Sequence, residues 1–189
     1  MAIFASGGGS NARAITQYFE NHPFIRPALF LTNNFSSGVL ELGRLQNIPV
    51  VVLGKSQTKD GKYLAGLLQF HKIDLVILAG YLKYIPAELL TSYQDRILNI
   101  HPSLLPKFGG KGMYGMNVHQ AVIDAGEARS GMTVHKVNEV YDDGEIIFQA
   151  EVLIEKGWTA LDLQKAVLTL EHKHFPKVIE SVCNSLRRE

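Results

Sequence analysis

The fold of this protein follows from one stretch, residues 1–19, with the sequence MAIFASGGGSNARAITQYF. The apolar run over residues 1–5 predicts a short buried strand, and the pattern over 12–19 predicts a helix. Three consecutive glycines, Gly7 to Gly9, lie in the turn between them. A strand, a glycine-rich turn and a helix in direct succession are typical of the first unit of an α/β protein.

The same alternation continues along the chain. Further strands are predicted at 27–31, 50–53, 74–79 and 96–100, with helices at 38–46 and 63–70 between them. Unbroken apolar runs such as DLVILA at 74–79 indicate strands buried on both faces, as in parallel sheets covered by helices. We therefore predict a doubly wound, mostly parallel α/β sheet.

The second half of the chain has a different pattern. A helix is predicted at 118–125, followed by strands at 132–137 and 146–154 that the turn Asp142-Asp143-Gly144 separates. Thr159 and Asp162 form a predicted capping box at the start of a last helix that ends near residue 186. We expect these strands to be an antiparallel addition to the sheet.

The composition is typical of a globular protein and excludes several classes. Of 189 residues, 46% are apolar and 20% are charged, which fits a single domain over 1–189. The net charge of +1 shows no basic excess, so we expect no nucleic-acid partner. No run reaches the roughly 18 apolar residues of a membrane span, and the single cysteine, Cys183, has no disulfide partner. With no signal-like start, the chain is predicted to be cytoplasmic and to have no membrane partner.

Gly9, Ser10 and Asn11 lie at the junction of the first strand and the first helix. Backbone N–H groups at a helix N-terminus attract anions, and glycine lets a phosphate approach the backbone closely. The loop also matches one form of the dinucleotide fingerprint, which requires an acidic residue about 20 positions further on. The second strand instead ends in Leu31-Thr32-Asn33-Asn34, and the next acid is Glu41. We therefore expect a phosphate monoester here, and a tight turn without a ligand is the alternative.

A second polar segment, Asn99-Ile100-His101-Pro102-Ser103-Leu104-Leu105-Pro106, follows the fifth predicted strand. Asn99 and His101 alternate along an extended chain, so both side chains point to the same side, and Pro102 favours that extended geometry. An amide and an imidazole held side by side can stabilise an oxyanion and move a proton. For an isolated pair, a turn-capping Asn and a packed His are the simpler interpretation.

Several other motifs accompany this segment. They are SGGGSN at 6–11, LAGYLK at 78–83, Val134-His135, Asp142-Asp143-Gly144, Ile147-Phe148-Gln149-Ala150, and Glu171-His172 with Pro176 after it. Together they resemble the folate-dependent formyltransferases over essentially the whole chain. The resemblance implies a Rossmann-like formyltransferase fold, and transfer of the formyl group of 10-formyltetrahydrofolate to the amine of glycinamide ribonucleotide in purine synthesis. It implies no metal.

The resemblance also implies roles for individual residues. Asn99 is expected to donate a hydrogen bond to the oxyanion, His101 to act as proton donor, and Asp142 to raise the pKa of His101. Gly9, Ser10 and Asn11 are expected to bind the phosphate of the amino substrate, and Glu171 is expected to bind the same substrate. The residues expected to bind the folate are Lys59, Leu82, Lys83, Tyr84, Ile85, Ile97, Asn99 and Val137. Thr133 and His135 are expected to support Asp142. Lys59 is chosen as the basic residue that contacts the folate, and Asp60 is the alternative at the neighbouring register.

Simpler structural interpretations remain open at several of these positions. Asp142 and Asp143 are also typical of a plain turn, and a His in a strand, such as His135, is more often a buried structural residue. His172 and His174 lie close in sequence, but two His without a third ligand make a poor metal site. Leu168, one turn before Glu171, is apolar where the family has a substrate contact.

The segment 109–115, GGKGMYG, has no assigned role. Its glycines predict a mobile flap in which Lys111 meets a phosphate or the glutamate tail of the folate, and flexible filler is equally consistent. The sequence does not distinguish a monomer from a homodimer.

Three other functions compete with formyl transfer to the ribonucleotide. A formyltetrahydrofolate hydrolase shares the Asn-His-Asp set but carries an N-terminal regulatory domain, for which we expect no room here. A methionyl-tRNA formyltransferase needs an RNA-binding C-terminal domain and a basic face, which the net charge of +1 does not indicate. A non-catalytic phosphate-binding module explains the glycine loop but leaves the convergence of Asn99, His101 and Asp142 to chance.

Overall fold

Strands and helices alternate along the computed structural model, which describes residues 1–187. The strands in that range are β1 (Ala2–Phe4), β2 (Leu29–Thr32), β3 (Val50–Val52), β4 (Val76–Leu78), β5 (Ile97–His101), β6 (Arg129–Lys136) and β7 (Ile146–Leu153). The helices are α1 (Ser10–Tyr18), α2 (Val39–Gln46), α3 (Gly61–Phe70), α4 (Ala87–Ser92), α5 (Met116–Asp124) and α6 (Ala160–Leu186), with a short 3-10 helix at Gln57–Lys59.

The strands form one sheet in the order β3-β2-β1-β4-β5-β6-β7. Neighbouring strands from β1 to β5 are parallel, whereas β6 and β7 are antiparallel to their neighbours. The predicted doubly wound, mostly parallel sheet with an antiparallel C-terminal addition is confirmed. The strand order reverses between β1 and β4, and open α/β sheets bind ligands at such a switch point, beyond the carboxyl ends of the strands.

Helices cover both faces of the sheet, which explains the unbroken apolar strands. Ala2 and Phe4 of β1 pack in one core cluster with Leu64 of α3, whereas Ile3 packs in the other with Val167 of α6. All five side chains are fully buried. Because each full burial of a large apolar side chain stabilises by about 1.5–3 kcal/mol, a strand with no polar face fits only between two helical layers.

Helix α6 begins at the predicted capping box. The Thr159 hydroxyl accepts a hydrogen bond from the Asp162 N–H at 3.3 Å, and the Asp162 carboxylate accepts one from the Thr159 N–H at 3.0 Å. A cap of this kind is typically worth about 1 kcal/mol. The helix packs against α1, α5, β6 and β7, so it reaches the glycine loop from the far end of the chain.

Two local features differ from the prediction. Helix α4 was not predicted, because its six residues are too few to show a helical period. Helix α1 begins at Ser10, two residues earlier than predicted, since Gly9 adopts a left-handed φ of 73° and serves as its N-cap. Ser10 and Asn11 therefore lie in the first turn of α1, where backbone N–H groups have no partner within the helix.

Candidate active site

A cavity of about 540 Å³ lies at the carboxyl ends of the parallel strands, beside the switch point between β1 and β4. Its lining comes from the glycine loop, the segment after β4, the end of β5, the loop before α5, the end of β6 with the loop after it, and α6. Ser10 and His101 both line it. The prediction that the glycine loop and the Asn99–His101 segment meet at one edge of the sheet is confirmed.

The glycine loop presents free backbone donors to this cavity. Within the described range, no side chain caps the N-terminus of α1. Gly38 N–H and the Ser37 hydroxyl both donate to the Gly7 carbonyl, at 3.1 and 3.0 Å, and hold the loop from behind. A Cβ at Gly38 would overlap the Gly8 carbonyl, so this close approach requires glycine. The first N–H groups of α1 are therefore available to an anion.

Glu171 reaches the cavity from α6 and lies beside Asn11. Asn11 Nδ2 donates to Glu171 Oε2 at 2.6 Å, although 160 positions separate the two residues. Glu171 is 7% exposed. This burial raises its pKa to about 7, while the Asn11 bond acts in the opposite direction. The carboxyl group therefore gains or loses a proton near neutral pH and can either donate or accept a hydrogen bond.

A chain of hydrogen bonds orients Asn99. His135 Nδ1 lies 2.8 Å from the Lys136 carbonyl, which only accepts, so Nδ1 carries a proton. In a neutral ring, Nε2 then accepts a hydrogen bond from Asn99 Nδ2, at 3.0 Å. Since an amide nitrogen carries two hydrogens, the second one remains for a ligand in the cavity. His135 thus positions Asn99, and its Nε2 also lies 3.6 Å from Asp142 Oδ1.

His101 lies between the loop before α5 and Asp142. Its Nε2–H donates to the Phe108 carbonyl at 2.8 Å, and its Nδ1 lies 3.5 Å from Asp142 Oδ2. A neutral ring turns a lone pair toward the Asp142 carboxylate, whereas a protonated ring donates from both nitrogens. The contacts of His101 with Asp142 and with the Phe108 carbonyl therefore favour the charged ring.

Burial nevertheless lowers the pKa of His101, because desolvation outweighs the Asp142 charge and the Phe108 hydrogen bond. Asp142 acts on the pKa of His101 in the predicted direction, but the net shift is downward because desolvation is the larger effect. Burial by itself raises the pKa of Asp142, but the neighbouring His135 and His101 rings and the Gly110 N–H together lower it. At neutral pH, Asp142 is charged and His101 is neutral.

Residues 108–110 contact both members of this pair. Besides the Phe108 carbonyl on His101, the Gly110 N–H donates to Asp142 Oδ2 at 2.9 Å. Gly109 lies between them, and a Cβ there would come within 2.6 Å of Leu105 Cδ2 and 3.2 Å of Asp142 Cβ. The start of the segment 109–115 is therefore packed against Asp142, whereas its later residues line the cavity. Its movement as a flap stays a prediction.

Known proteins share this arrangement of elements. A family model described as formyl transferase matches residues 1–179. The chain belongs to the formyl transferase family. The chloroplastic phosphoribosylglycinamide formyltransferase of Arabidopsis thaliana is 43% identical over 189 residues, which are 97% of this chain and 65% of that protein. A chloroplastic Vigna unguiculata relative of the same name is 42% identical, and the chain spans only 60% of it.

Two bacterial relatives match over more of their length. The phosphoribosylglycinamide formyltransferase of Bacillus subtilis is 35% identical, with 96% of this chain and 93% of that protein covered. The crystal structure of phosphoribosylglycinamide formyltransferase from Anaplasma phagocytophilum superposes with a TM-score of 0.89 at 31% identity, covering 97% of this chain and 86% of that one. The fold is therefore that of the formyl transferase family.

Most residues that the family resemblance assigned to the folate line the cavity, namely Leu82, Lys83, Tyr84, Ile85, Asn99 and Val137. Two assigned residues do not. Ile97 is 1% exposed and packs in the core behind the cavity, with Ile85 in the same cluster. Lys59 lies in the 3-10 helix and is not part of the cavity lining. The contact of Ile97 with the folate stays a prediction, and Lys59 has no observed contact with the site among the described residues.

Thr133 was expected to support Asp142, but its hydrogen bonds hold the loop after β5. Its hydroxyl donates to the Ser103 carbonyl at 2.6 Å and accepts from the Leu105 N–H at 3.0 Å and from Gln149 Nε2 at 2.9 Å. These bonds hold the loop after β5, which carries the chain away from His101. Thr133 therefore stabilises that loop and has no hydrogen bond with Asp142 among the described residues.

Several residues of the cavity were missed by the sequence analysis. His119 of α5 and Gln164 of α6 both line it. Tyr84 and Tyr141 pack edge to face with ring centroids 5.5 Å apart, and the Tyr84 hydroxyl donates to the Glu139 carbonyl at 3.0 Å. Of the missed residues His119, Gln164 and Tyr141, only Tyr141 could have been found from the sequence, because it directly precedes Asp142.

Within residues 1–187, no helix combines the length and the apolar character needed to cross a membrane. The same range holds no group of three or more His, Cys, Asp or Glu side chains placed to bind a metal ion. Since the two plant relatives are named as chloroplastic, the cytoplasmic location of this chain stays a prediction.

Proposed function

We propose that this protein is a phosphoribosylglycinamide formyltransferase of purine biosynthesis, with residues 1–189 acting as a single formyltransferase domain. It transfers the formyl group of 10-formyltetrahydrofolate to the amine of glycinamide ribonucleotide, giving formylglycinamide ribonucleotide and tetrahydrofolate. The observation that carries the proposal is that one cavity joins a glycine loop with free N–H groups to the Asn99, His101 and Asp142 side chains.

The amino substrate binds along the side of the cavity formed by α1 and α6. Its phosphate is held at the N-terminus of α1 by Gly9, Ser10 and Asn11, where the helix dipole favours an anion. Glu171 and Asn11 lie next along the cavity and offer a carboxyl and an amide to the ribose hydroxyls. The partly protonated state of Glu171 suits a hydroxyl, which both donates and accepts.

The folate binds against the segment after β4. Leu82, Tyr84, Ile85 and Val137 provide an apolar surface for flat rings, in keeping with the mostly apolar lining of small-molecule sites. Of the lysines and arginines in residues 1–187, Lys83 and Lys111 line the cavity. We therefore assign the glutamate tail of the folate to these two cations in place of Lys59.

The reaction is direct attack of the amine on the formyl carbon. A C–N bond forms and the carbonyl electron pair moves to the formyl oxygen, where the second N–H of Asn99 donates to the developing charge. The C–N10 bond of the folate then breaks, and the proton lost by the amine is passed to N10. His101 carries this proton from the amine to N10, and the charged Asp142 stabilises the cation that the ring forms in between.

His101 can donate to the formyl oxygen only if it gives up one of its present partners. Both ring nitrogens face protein groups, the Phe108 carbonyl and the Asp142 carboxylate. Release of the Phe108 contact is the smaller change, because it leaves His101 Nδ1 beside the Asp142 carboxylate, which stabilises the ring when it becomes charged. Binding of both substrates is expected to bring about this exchange.

The decisive experiment measures consumption of 10-formyltetrahydrofolate by the purified protein, with and without glycinamide ribonucleotide. Consumption that depends on the ribonucleotide and yields equal amounts of tetrahydrofolate and formylated product is expected. Consumption at the same rate without acceptor, with release of formate, would replace the proposal with a hydrolase. No consumption under either condition would favour a non-catalytic phosphate-binding module.

A further inference from the structure

His119 is a buried imidazole in the cavity lining that the proposed reaction does not use. It lies on α5 and is 3% exposed. Its Nδ1 is buried without a hydrogen-bond partner among residues 1–187. By contrast, His135 has both ring nitrogens engaged by protein groups, and His101 has its Nε2 bonded and its Nδ1 facing a carboxylate.

A buried and unpaired nitrogen in a cavity lining calls for an explanation. Buried polar groups in folded proteins are almost always paired, and an unpaired one lowers stability. The packing of α5 places this ring in the cavity lining rather than in the apolar core. The missing partner of Nδ1 is therefore expected from a molecule that enters the cavity.

The charge state of His119 restricts what that molecule offers. Burial and, to a smaller extent, the nearby His101 lower the pKa of His119 to about 4. At neutral pH the ring is thus uncharged, with one N–H donor and one acceptor nitrogen. Such a ring suits an amine, an amide or a hydroxyl, and it does not attract a phosphate or a carboxylate by charge.

The position of His119 selects the amino substrate over the folate. Helix α5 packs against α6, which contributes Gln164, Leu168 and Glu171 to the same cavity. The segment assigned to the folate, Leu82 to Ile85, belongs to the other face of the sheet, since Ile85 packs in a different core cluster from Val122 of α5. Leu168 has no polar atom in its side chain, so a polar contact on this side must come from a neighbour.

We propose that His119 binds the glycinamide portion of the amino substrate as a neutral hydrogen-bonding partner. The inference rests on the proposed function, because it takes glycinamide ribonucleotide as the occupant. One ring nitrogen accepts an N–H of the glycinamide. This bond limits rotation of the amine and directs its lone pair toward the formyl carbon. His119 is thus a substrate contact that acts beside Asn99 and His101.

The test compares two ligands that share the ribose phosphate and differ in the glycinamide. Binding of glycinamide ribonucleotide and of ribose 5-phosphate is measured by calorimetry for the wild type, His119→Phe and His119→Asn. The Phe variant is expected to bind glycinamide ribonucleotide about 10-fold more weakly, as for loss of a hydrogen bond, with ribose 5-phosphate unchanged. The Asn variant, whose amide can replace Nδ1, is expected to recover most of the affinity.

His172→Phe serves as the matched control. His172 Nε2 is also buried without a partner in the described residues, but His172 does not line the cavity. This variant is expected to bind both ligands as the wild type does. Thermal melts check that each variant is folded, and His119→Leu replaces the Phe variant if the larger ring prevents folding.

Two results would overturn the inference. Unchanged affinity of His119→Phe for glycinamide ribonucleotide, or an equal loss for both ligands, would reduce His119 to a structural residue. If the wild type binds glycinamide ribonucleotide with no higher affinity than ribose 5-phosphate, the proposed function itself is overturned. In steady-state assays the expected change is in the KM for the ribonucleotide, with the KM for the folate unaltered.

Discussion

Replacement of Glu171 by Gln is expected to make the protein more stable and less active. The pKa of Glu171 is raised from an ordinary 4.5 to about 7, chiefly by burial. At about 1.4 kcal/mol for each tenfold change in proton affinity, the charged carboxylate destabilises the folded state by about 3 kcal/mol at high pH. Gln carries no charge, and its Oε1 can still accept the hydrogen bond from Asn11 Nδ2.

The pH dependence of this gain has a definite sign. Between pH 4.5 and about 7 the folded protein keeps a proton on Glu171 that the unfolded chain loses, so stability falls as the pH rises. Glu171→Gln lacks this dependence. We expect its gain in the free energy of unfolding to be about 1 kcal/mol at pH 5 and about 3 kcal/mol at pH 8.5.

Urea denaturation at the two pH values measures the difference. Glu20→Gln, which removes an exposed carboxylate, is the control and is expected to change stability by less than about 0.5 kcal/mol. The reasoning fails if Glu171→Gln destabilises the protein, or if its effect is the same at both pH values. In activity assays, the KM for the ribonucleotide is expected to rise about 10-fold through loss of a charge-assisted hydrogen bond.

Three further predictions concern the rest of the site. Asp142→Asn is expected to lower kcat far more than it raises KM. The double variant with His101→Ala should have a kcat barely below that of the poorer single variant. Additive logarithmic losses in kcat would show that Asp142 does not act through His101. Gly109→Ala is expected to lower kcat, because the new Cβ displaces Leu105 or Asp142. Gly112 has open space around it but a φ of +90°, so Gly112→Ala should mainly lower the stability of the protein. Equal losses of kcat in the two variants would contradict this. Thr133→Val leaves the Leu105 N–H unpaired in a buried loop and should cost about 1–3 kcal/mol in urea unfolding, and a loss under about 0.5 kcal/mol would remove its structural role.

Local sequence patterns were sufficient for most of the framework. The strands β1, β2 and β4 show as apolar runs, because each is buried between two helical layers. The capping box of Thr159 and Asp162 and the glycine junction before α1 are contacts within a few residues, so they are visible in the sequence. Helix α4 was missed because its six residues do not complete two helical turns and therefore show no helical period.

The sequence also placed the polar groups of the site at the correct edge of the sheet. Ser10 follows β1 and Asn99 lies near the carboxyl end of β5, and the carboxyl ends of parallel strands meet at one edge. That argument predicts which segments lie at this edge, but it does not predict which individual side chains line the cavity. Ile97 was assigned to the folate by family resemblance alone, and its side chain lies in the core behind the cavity.

Only the tertiary structure decided which side chains meet and what charge they carry. Asn11 and Glu171 bond across 160 positions because α6 packs against α1, and His119 joins the site because α5 packs against α6. The pKa of His101 shows the same limit: the pair with Asp142 favours the cation, but the net direction depends on desolvation by every surrounding atom. A pairwise contact can be inferred from a motif, whereas burial is a property of the whole folded chain.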